Sequence, residues 1–236
     1  MANINYANKE IIIKIVYYGP GMSGKTTNLQ VIHQMVPQNA ASKMISLATE
    51  QDRTLFFDLL PLSLGSVKGF NTKFQLYTVP GQVYYNTTRK LVLNGVDGVV
   101  FVADSQKDKM DENKESINNL KENLSEYGID MNNFAVVMQY NKRDMDNLAT
   151  IEELQKELNP YGFPHTEAVA VKGNGLMETL KLISKITLAR IGQKSPSSGG
   201  GAAAPQQPQA DAGAAEGQDP QKSSEFFKNL MNKMNK

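Results

Sequence analysis

Eight consecutive residues, Gly19-Pro20-Gly21-Met22-Ser23-Gly24-Lys25-Thr26, match the spacing G-x-x-x-x-G-K-S/T. Gly19, Gly21 and Gly24 let a backbone curl until successive N–H groups converge, and converging N–H groups hold phosphate oxygens. Lys25 supplies a mobile point charge to outer phosphates, and the Thr26 hydroxyl is a hard oxygen ligand suited to magnesium. The set Gly19, Gly21, Met22, Ser23, Gly24, Lys25, Thr26 and Thr27 is therefore read as a phosphate cradle. The alternative is an ordinary glycine-rich turn between a strand and a helix. Context favours the cradle, because an apolar β-rich run precedes it and a helical stretch follows, adding the positive end of a helix dipole.

A phosphate loop does not choose a base. Asn141-Lys142-Arg143-Asp144 follows a second buried strand downstream and offers what is missing. A carboxylate at Asp144 can accept from the N1–H and N2–H₂ of guanine, donors that adenine does not present there. With adenine bound, that carboxylate would be desolvated and unpaired, a mismatch on the order of 10⁴-fold. Asn141 can tether loops, and the stem of Lys142 can lie across the base plane. Alone, the four letters fit a polar turn equally well. Between the two motifs lies Thr78-Val79-Pro80-Gly81-Gln82. Gly81 can close its backbone N–H on a terminal phosphate, and Gln82, one residue on, can orient an attacking water. A strand-ending Pro-Gly turn is the bland alternative.

These motifs, in this order and spacing and with FVADSQ ending another strand, resemble the small Ras-like GTPases. The longer stretches KIVYYGPGMSGKTTNLQ, LYTVPGQVYYNTTRKLVLNGVDGVVFVADSQ and QYNKRD resemble its MglA branch, bacterial gliding-motility and cell-polarity GTPases. The resemblance covers about Ile4 to Ile191. It implies GTP/GDP and Mg²⁺ as cofactors and slow hydrolysis of GTP, stimulated by a partner similar to an MglB-type roadblock dimer. It also implies polarity or motility effectors. By the same resemblance, Asp52, Arg53 and Thr54 fall in a first switch loop. Thr54 is similar to the threonine that ligates magnesium and senses the third phosphate. Arg53 resembles an arginine that neutralises transition-state charge from within the chain, an effect of about 10³–10⁵ in rate. Ala170 resembles the alanine whose backbone N–H meets the guanine carbonyl. One departure stands out: Thr78 occupies the position of the acid that holds magnesium through water in the wider superfamily, which leaves the ion's ligation open.

The elements that must position these residues read as strands alternating with amphipathic helices. Ile11 to Tyr18, Ser42 to Leu47, Val96 to Ala103, Phe134 to Tyr140 and Ala168 to Val171 read as strands, and Val67 with Thr72 to Val79 as the arms of a hairpin. Lys25 to Val36, the stretch through Ile117, Leu120, Leu124 and Tyr127, Ile151 to Leu158, and the line Leu176, Leu180, Ile183, Ile186 and Ile191 read as helices. The expected fold class is α/β, a three-layer P-loop NTPase with a mostly parallel central sheet, helices on both faces and one antiparallel hairpin. Ligands in such folds sit at the carboxyl ends of the strands.

Residues 1–192 thus read as the GTPase domain, 193–222 as a disordered Gly/Ala/Pro/Gln-rich linker and 223–236 as a short amphipathic segment. Phe226, Phe227, Leu230, Met231 and Met234 recur there at helical spacing. A frayed end and a segment that orders on a partner or membrane surface stay open as readings. The 236 residues carry a formal charge of +1, which removes an overall electrostatic case for nucleic acid. Arg89-Lys90 and Lys142-Arg143 read as solvated or ligand-binding pairs. No cysteine is present, so disulfides, thiol nucleophiles and thiolate metal sites are out. With no signal-like start and no long apolar run, a cytoplasmic protein is expected, and the resemblance implies recruitment to a cell pole. Leu55, Phe56, Phe57, Tyr84 and Tyr85 fit partner contacts and core packing equally. Two other functions compete: a nucleotide-gated scaffold with negligible hydrolysis, and an ATP-dependent enzyme, which would leave Asn141, Lys142 and Asp144 unexplained.

Overall fold

Apolar runs without polar alternation suit strands covered on both faces, and they form the middle of the sheet. The computed structural model describes residues 3–47, 57–67 and 69–193. In chain order the elements are β1 (Asn3–Asn5), β2 (Glu10–Tyr18), α1 (Lys25–Met35), β3 (Ile45–Leu47), β4 (Phe57–Val67) and β5 (Phe70–Thr78). They continue as α2 (Asn86–Leu93), β6 (Gly98–Asp104), α3 (Met110–Glu126), β7 (Val136–Asn141), α4 (Ile151–Leu158), β8 (His165–Glu167) and α5 (Leu176–Gln193). Arg53, Thr54, Leu55 and Phe56, and the expected linker and terminal segment beyond Gln193, lie outside the described residues.

The strands lie in the order β3-β4-β5-β2-β6-β7-β8, with β1 also on β2. From β5 through β8 all neighbours are parallel. The expected hairpin is β4–β5, paired from Leu59↔Tyr77 to Val67↔Phe70. Two further antiparallel pairings extend it: β3 on the outer edge of β4, and β1 on Glu10 to Ile12. β1 takes the edge of β2 that β6 occupies from Ile15 onward.

Alternate residues of each central strand serve opposite layers. Ile13, Ile15, Tyr17, Val100, Val102 and Val137 pack with Leu29, Ile32, Leu176, Leu180 and Ile183 of α1 and α5. Val16, Tyr18, Val99, Phe101, Val136 and Met138 pack with Val92, Leu120, Leu124 and Leu154 of α2, α3 and α4. Local signals agree with this packing. The turn after α3 closes with Gly128 at φ 67° and its N–H on the Ser125 carbonyl. α4 starts on a reciprocal cap, Thr150 hydroxyl to Glu153 N–H and Glu153 carboxylate to Thr150 N–H.

The last strand departs from expectation. It is His165–Glu167, paired with Met138 to Tyr140, and not Ala168 to Val171. Ala168 and Ala170 are buried, but after Glu167 the chain leaves the sheet and tightens into a 3₁₀ turn over Ala170–Lys172. Alternating small apolar residues imitate a strand wherever a loop runs inward.

Gly98 begins β6 beneath α5. A Cβ there would meet Thr187 Oγ1 at 2.5 Å, Ile15 Cδ1 at 3.0 Å and Ile183 Cδ1 at 3.1 Å. Gly98→Ala is therefore expected to overpack this layer and lower unfolding free energy by about 1–3 kcal/mol. Urea denaturation checks this, and an unchanged midpoint would show that α5 can lift without cost.

Candidate nucleotide-binding site

β2 ends at Tyr18 and delivers the glycine-rich loop to the carboxyl edge of the sheet. Gly19 (φ 145°) and Gly24 (φ 100°) adopt backbone conformations that L side chains avoid. A Cβ at Gly19 would run into the Val102 carbonyl, and one at Gly24 into the Asn141 amide. Met22 takes a left-handed turn at φ 57° with its side chain in solvent. Gly21, expected to curl like its neighbours, has no positive φ and open space around its Cβ position. The constraint lies on Gly81, which sits so close to this loop that a Cβ on it would strike Gly21 and Pro20. Ser23 is buried in the loop, and Thr27 is half-buried in the first turn of α1.

Lys25 opens α1 and is buried. Its ammonium donates to the carbonyls of Gly19 at 3.1 Å and Pro20 at 2.5 Å. Burial, with the nearby Arg89 charge adding to it, pulls its pKa down to about 7. Among the described residues the ammonium is held by carbonyls and by no carboxylate.

Position 78 carries no acid, but a carboxylate stands beside it on the neighbouring strand. Asp58, on β4, accepts from the Thr26 hydroxyl at 2.7 Å, the Ser46 hydroxyl at 2.8 Å and the Thr78 hydroxyl at 3.0 Å. Thr78 in turn accepts from the Asp58 N–H at 2.9 Å. Asp58 and Thr78 line a cleft of about 360 Å³ together with Lys25, Thr26, Ser46, Pro80 and Gly81. Among the described residues no group of three or more His, Cys, Asp or Glu side chains converges. The donor set here is one carboxylate and several hydroxyls, all hard oxygens. It fits magnesium, which takes one or two carboxylates and otherwise water and substrate phosphates. A hydroxyl that donates its proton to Asp58, as Thr26 does, turns its lone pairs toward the cleft.

On the base side, Asn141 ends β7 and is buried. Its amide donates to the Ser23 carbonyl at 2.8 Å, and its Oδ1 accepts from the Ala170 N–H at 2.9 Å. The N–H expected to face a guanine carbonyl is thus engaged by Asn141. Lys142 takes a left-handed backbone conformation, φ 64°, and its ammonium meets the buried Asp104 at 2.6 Å. Asp144 faces Lys172 at 3.2 Å. Arg143 turns away to Glu167 and the Ala149 carbonyl.

After Gln82 the chain turns helical: Val83–Tyr85 forms a 3₁₀ turn and α2 starts at Asn86. Arg89 is not solvated; it is fully buried. Its guanidinium donates to the Pro80 carbonyl at 2.9 Å, to the Gly81 carbonyl and to Asn119 Oδ1 at 2.7 Å, which fastens Gly81 over the phosphate loop. A planar fork of five donors can satisfy several carbonyls at once, and burial of an arginine demands that. Gln82 is exposed and does not line the cleft. Tyr84 is 87% exposed, whereas Phe57 packs against Tyr77 with ring centroids 5.7 Å apart.

Asp58, Arg89 and Lys172 were absent from the sequence-derived set. Asp58 left a trace: it is a lone acid ahead of the apolar stretch Leu59 to Leu62. Arg89 left none, since it looked like half of a basic surface pair.

Residues 1–187 match the ADP-ribosylation factor (Arf) family. The chain is also 56% identical over 191 residues to the mutual gliding-motility protein MglA of Myxococcus xanthus (strain DK1622), covering 81% of this chain and 98% of that protein. A family match over most of the chain, with the phosphate loop, the base loop and the intervening strand end on one edge of a parallel sheet, leads to one conclusion. The chain belongs to the ADP-ribosylation factor family, within the Ras-like GTPases.

Proposed function

We propose that this GTPase is a molecular switch that holds GTP or GDP with magnesium at the edge built from Gly19 to Thr27, Thr78 to Gln82 and Asn141 to Asp144. One observation carries the reading: Asn141 is bonded at once to the phosphate loop and to the Ala170 turn, so phosphate and base would be read by one connected surface. Asp144 selects guanine by accepting from two ring donors, with Lys172 released or shared. Ala170 can give its N–H to the base carbonyl only by sharing it with Asn141. Lys142, drawn to Asp104, offers its stem to the base plane. Lys25 meets the outer phosphates, whose charge restores the protonated state that burial disfavours.

Magnesium, when bound, neutralises charge that develops on the phosphates. Thr26 would ligate it, with Asp58 and Thr78 holding that hydroxyl and outer waters; Thr54 is the further ligand that the family resemblance suggests. Gln82 orients the attacking water, and Arg53 supplies charge from the first switch loop. Gly81, fastened by Arg89, reports the third phosphate through its N–H. Loss of that phosphate changes the Thr49 to Phe57 and Pro80 to Arg89 segments, and partners read the difference. Tyr84, almost wholly in solvent, suits such a contact. The accelerating partner is a roadblock-type dimer and the output is polarity or motility control in the cytoplasm. Support for this comes from the gliding-motility relative. Residues 1–192 act as the GTPase unit. The stretch 193–222 then serves as a linker and 223–236 as a segment for a partner or membrane surface. Among the described residues no helix is long and apolar enough to cross a membrane.

Phosphate release under single-turnover conditions tests the switch reading. The wild type should release phosphate from bound GTP, and Gln82→Leu should slow this on the order of 10²-fold, the cost of a mispositioned nucleophile. GTP that stays intact on the wild type, with or without a partner, would instead make the protein a nucleotide-gated scaffold.

The metal assignment has its own test. Asp58→Asn should raise half-saturating magnesium roughly ten- to a hundredfold, the usual effect of losing a group behind the ligands. Thr78→Asp should not mimic the superfamily, because its carboxylate would face Asp58. If Asp58→Asn leaves magnesium dependence as in the wild type, the carboxylate has been assigned to the wrong strand.

A further inference from the structure

A line of buried polar side chains crosses the apolar layer beneath the site. Asn28 of α1, Gln139 of β7 and Thr179 of α5 are each fully buried. The Asn28 amide donates to the Gly24 carbonyl at 2.9 Å, and its Oδ1 accepts from Gln139 Nε2 at 3.0 Å. The other N–H of Gln139 reaches Thr179 Oγ1 at 2.9 Å. That hydroxyl donates to the Gly175 carbonyl at 2.7 Å and meets the Thr166 hydroxyl of β8 at 2.7 Å. Donors and acceptors are consistent: Thr179 gives one hydrogen bond and receives from Gln139 and Thr166. Gln139 Oε1 finds no partner among the described residues.

Stability does not account for this arrangement. The neighbours are Leu29, Ile32, Val137, Leu176 and Leu180, and apolar side chains of similar shape would complete that layer. Replacing a buried polar set by such residues is commonly neutral or stabilising, and an unmet acceptor is itself a cost. What the line has is well-placed ends. Gly24 closes the phosphate loop and caps α1. Gln139 stands two residues before Asn141 on the same strand. Gly175 follows the Ala170–Lys172 turn and sits too close to the Glu167 carbonyl for any side chain.

We propose that Asn28, Gln139 and Thr179 are positioning residues that hold the phosphate loop, the Asn141–Asp144 loop and the Ala170 turn in one register, and thereby set how slowly nucleotide leaves. The inference rests on the nucleotide reading of those loops. All three side chains lie in the core: Asn28 acts through the Gly24 carbonyl, Thr179 through the Gly175 carbonyl, and Gln139 joins the two. Asn141 ties the loops from the cleft side, and this second tie works from within the core. Because it spans α1, β7, β8 and α5, a displacement of any one loop is resisted by all.

The test is release of a fluorescent GDP analogue from the full chain with magnesium, at a temperature well below the unfolding midpoints. The triple variant Asn28→Leu/Gln139→Met/Thr179→Val should release the analogue roughly tenfold faster, with a thermal midpoint equal to or above that of the wild type. Thr179→Ser, which keeps the hydroxyl, should behave as the wild type. If the triple variant fails to fold, Thr179→Val alone gives the same reading with less change of shape. Release at the wild-type rate from a folded variant would overturn the proposal. So would equal acceleration in Thr179→Ser. A wild-type chain that takes up no analogue is a separate result, and it would overturn the nucleotide reading and not this one alone.

Discussion

The amide of Asn141 is the constraint on which the rest of the site depends. It joins the Ser23 carbonyl, 118 residues earlier, to the Ala170 N–H, 29 residues later. A parallel sheet already brings the ends of β2, β5, β6 and β7 to one edge. Topology alone, however, fixes strand ends only loosely, and a nucleotide needs its phosphate and base sockets held at a fixed separation. One side chain with a donor and an acceptor provides that. Gly24 must stay bare because the same amide fills the space where its Cβ would go. The tight packing of glycine on asparagine, and not curl alone, explains that glycine.

Charge is distributed around this frame in an incomplete way. Lys25 is buried against carbonyls, and Arg89 is buried against the carbonyls of Pro80 and Gly81; among the described residues neither meets a carboxylate there. Asp58 stands nearby but spends its oxygens on three hydroxyls. Burial, with the Arg89 charge adding to it, lowers the pKa of Lys25 to about 7, so the loop's surroundings weaken its hold on the proton. A polyphosphate would reverse that balance, and the proposed metal beside Asp58 and Thr26 would add a second positive centre. Under the proposed reading, Asp58 on β4 takes the place of the acid that position 78 lacks, since pairing of β4 with β5 brings it beside Thr78.

Much of this was legible in residue types and spacing. The phosphate loop, the base loop and the strand between them were readable because each motif is contiguous and each follows an apolar run. α1, α3, α4 and α5 were legible as helices, whereas α2 over Asn86–Leu93 was not. What escaped was whatever depended on packing between distant segments. Asp58 acts only because β4 folds back on β5. Arg89 is polar in sequence and buried in fact, since the carbonyls that receive it come from a turn eight and nine residues earlier. Ala168 to Val171 looked like a strand because small buried residues alternate there, yet the chain was turning toward Asn141. Asn28 and Gln139 lie inside elements whose apolar neighbours set the reading, so their mutual bond was invisible until the strands were ordered.

Guanine selection by Asp144, on a loop held by Asn141, is the claim that the whole account needs. Titration calorimetry of the magnesium-replete protein with GDP and with ADP measures it most directly. A preference for GDP on the order of 10⁴-fold is predicted, because guanine offers the Asp144 carboxylate two donors and adenine offers none, leaving it only Lys172. Equal affinity for the two diphosphates would contradict it.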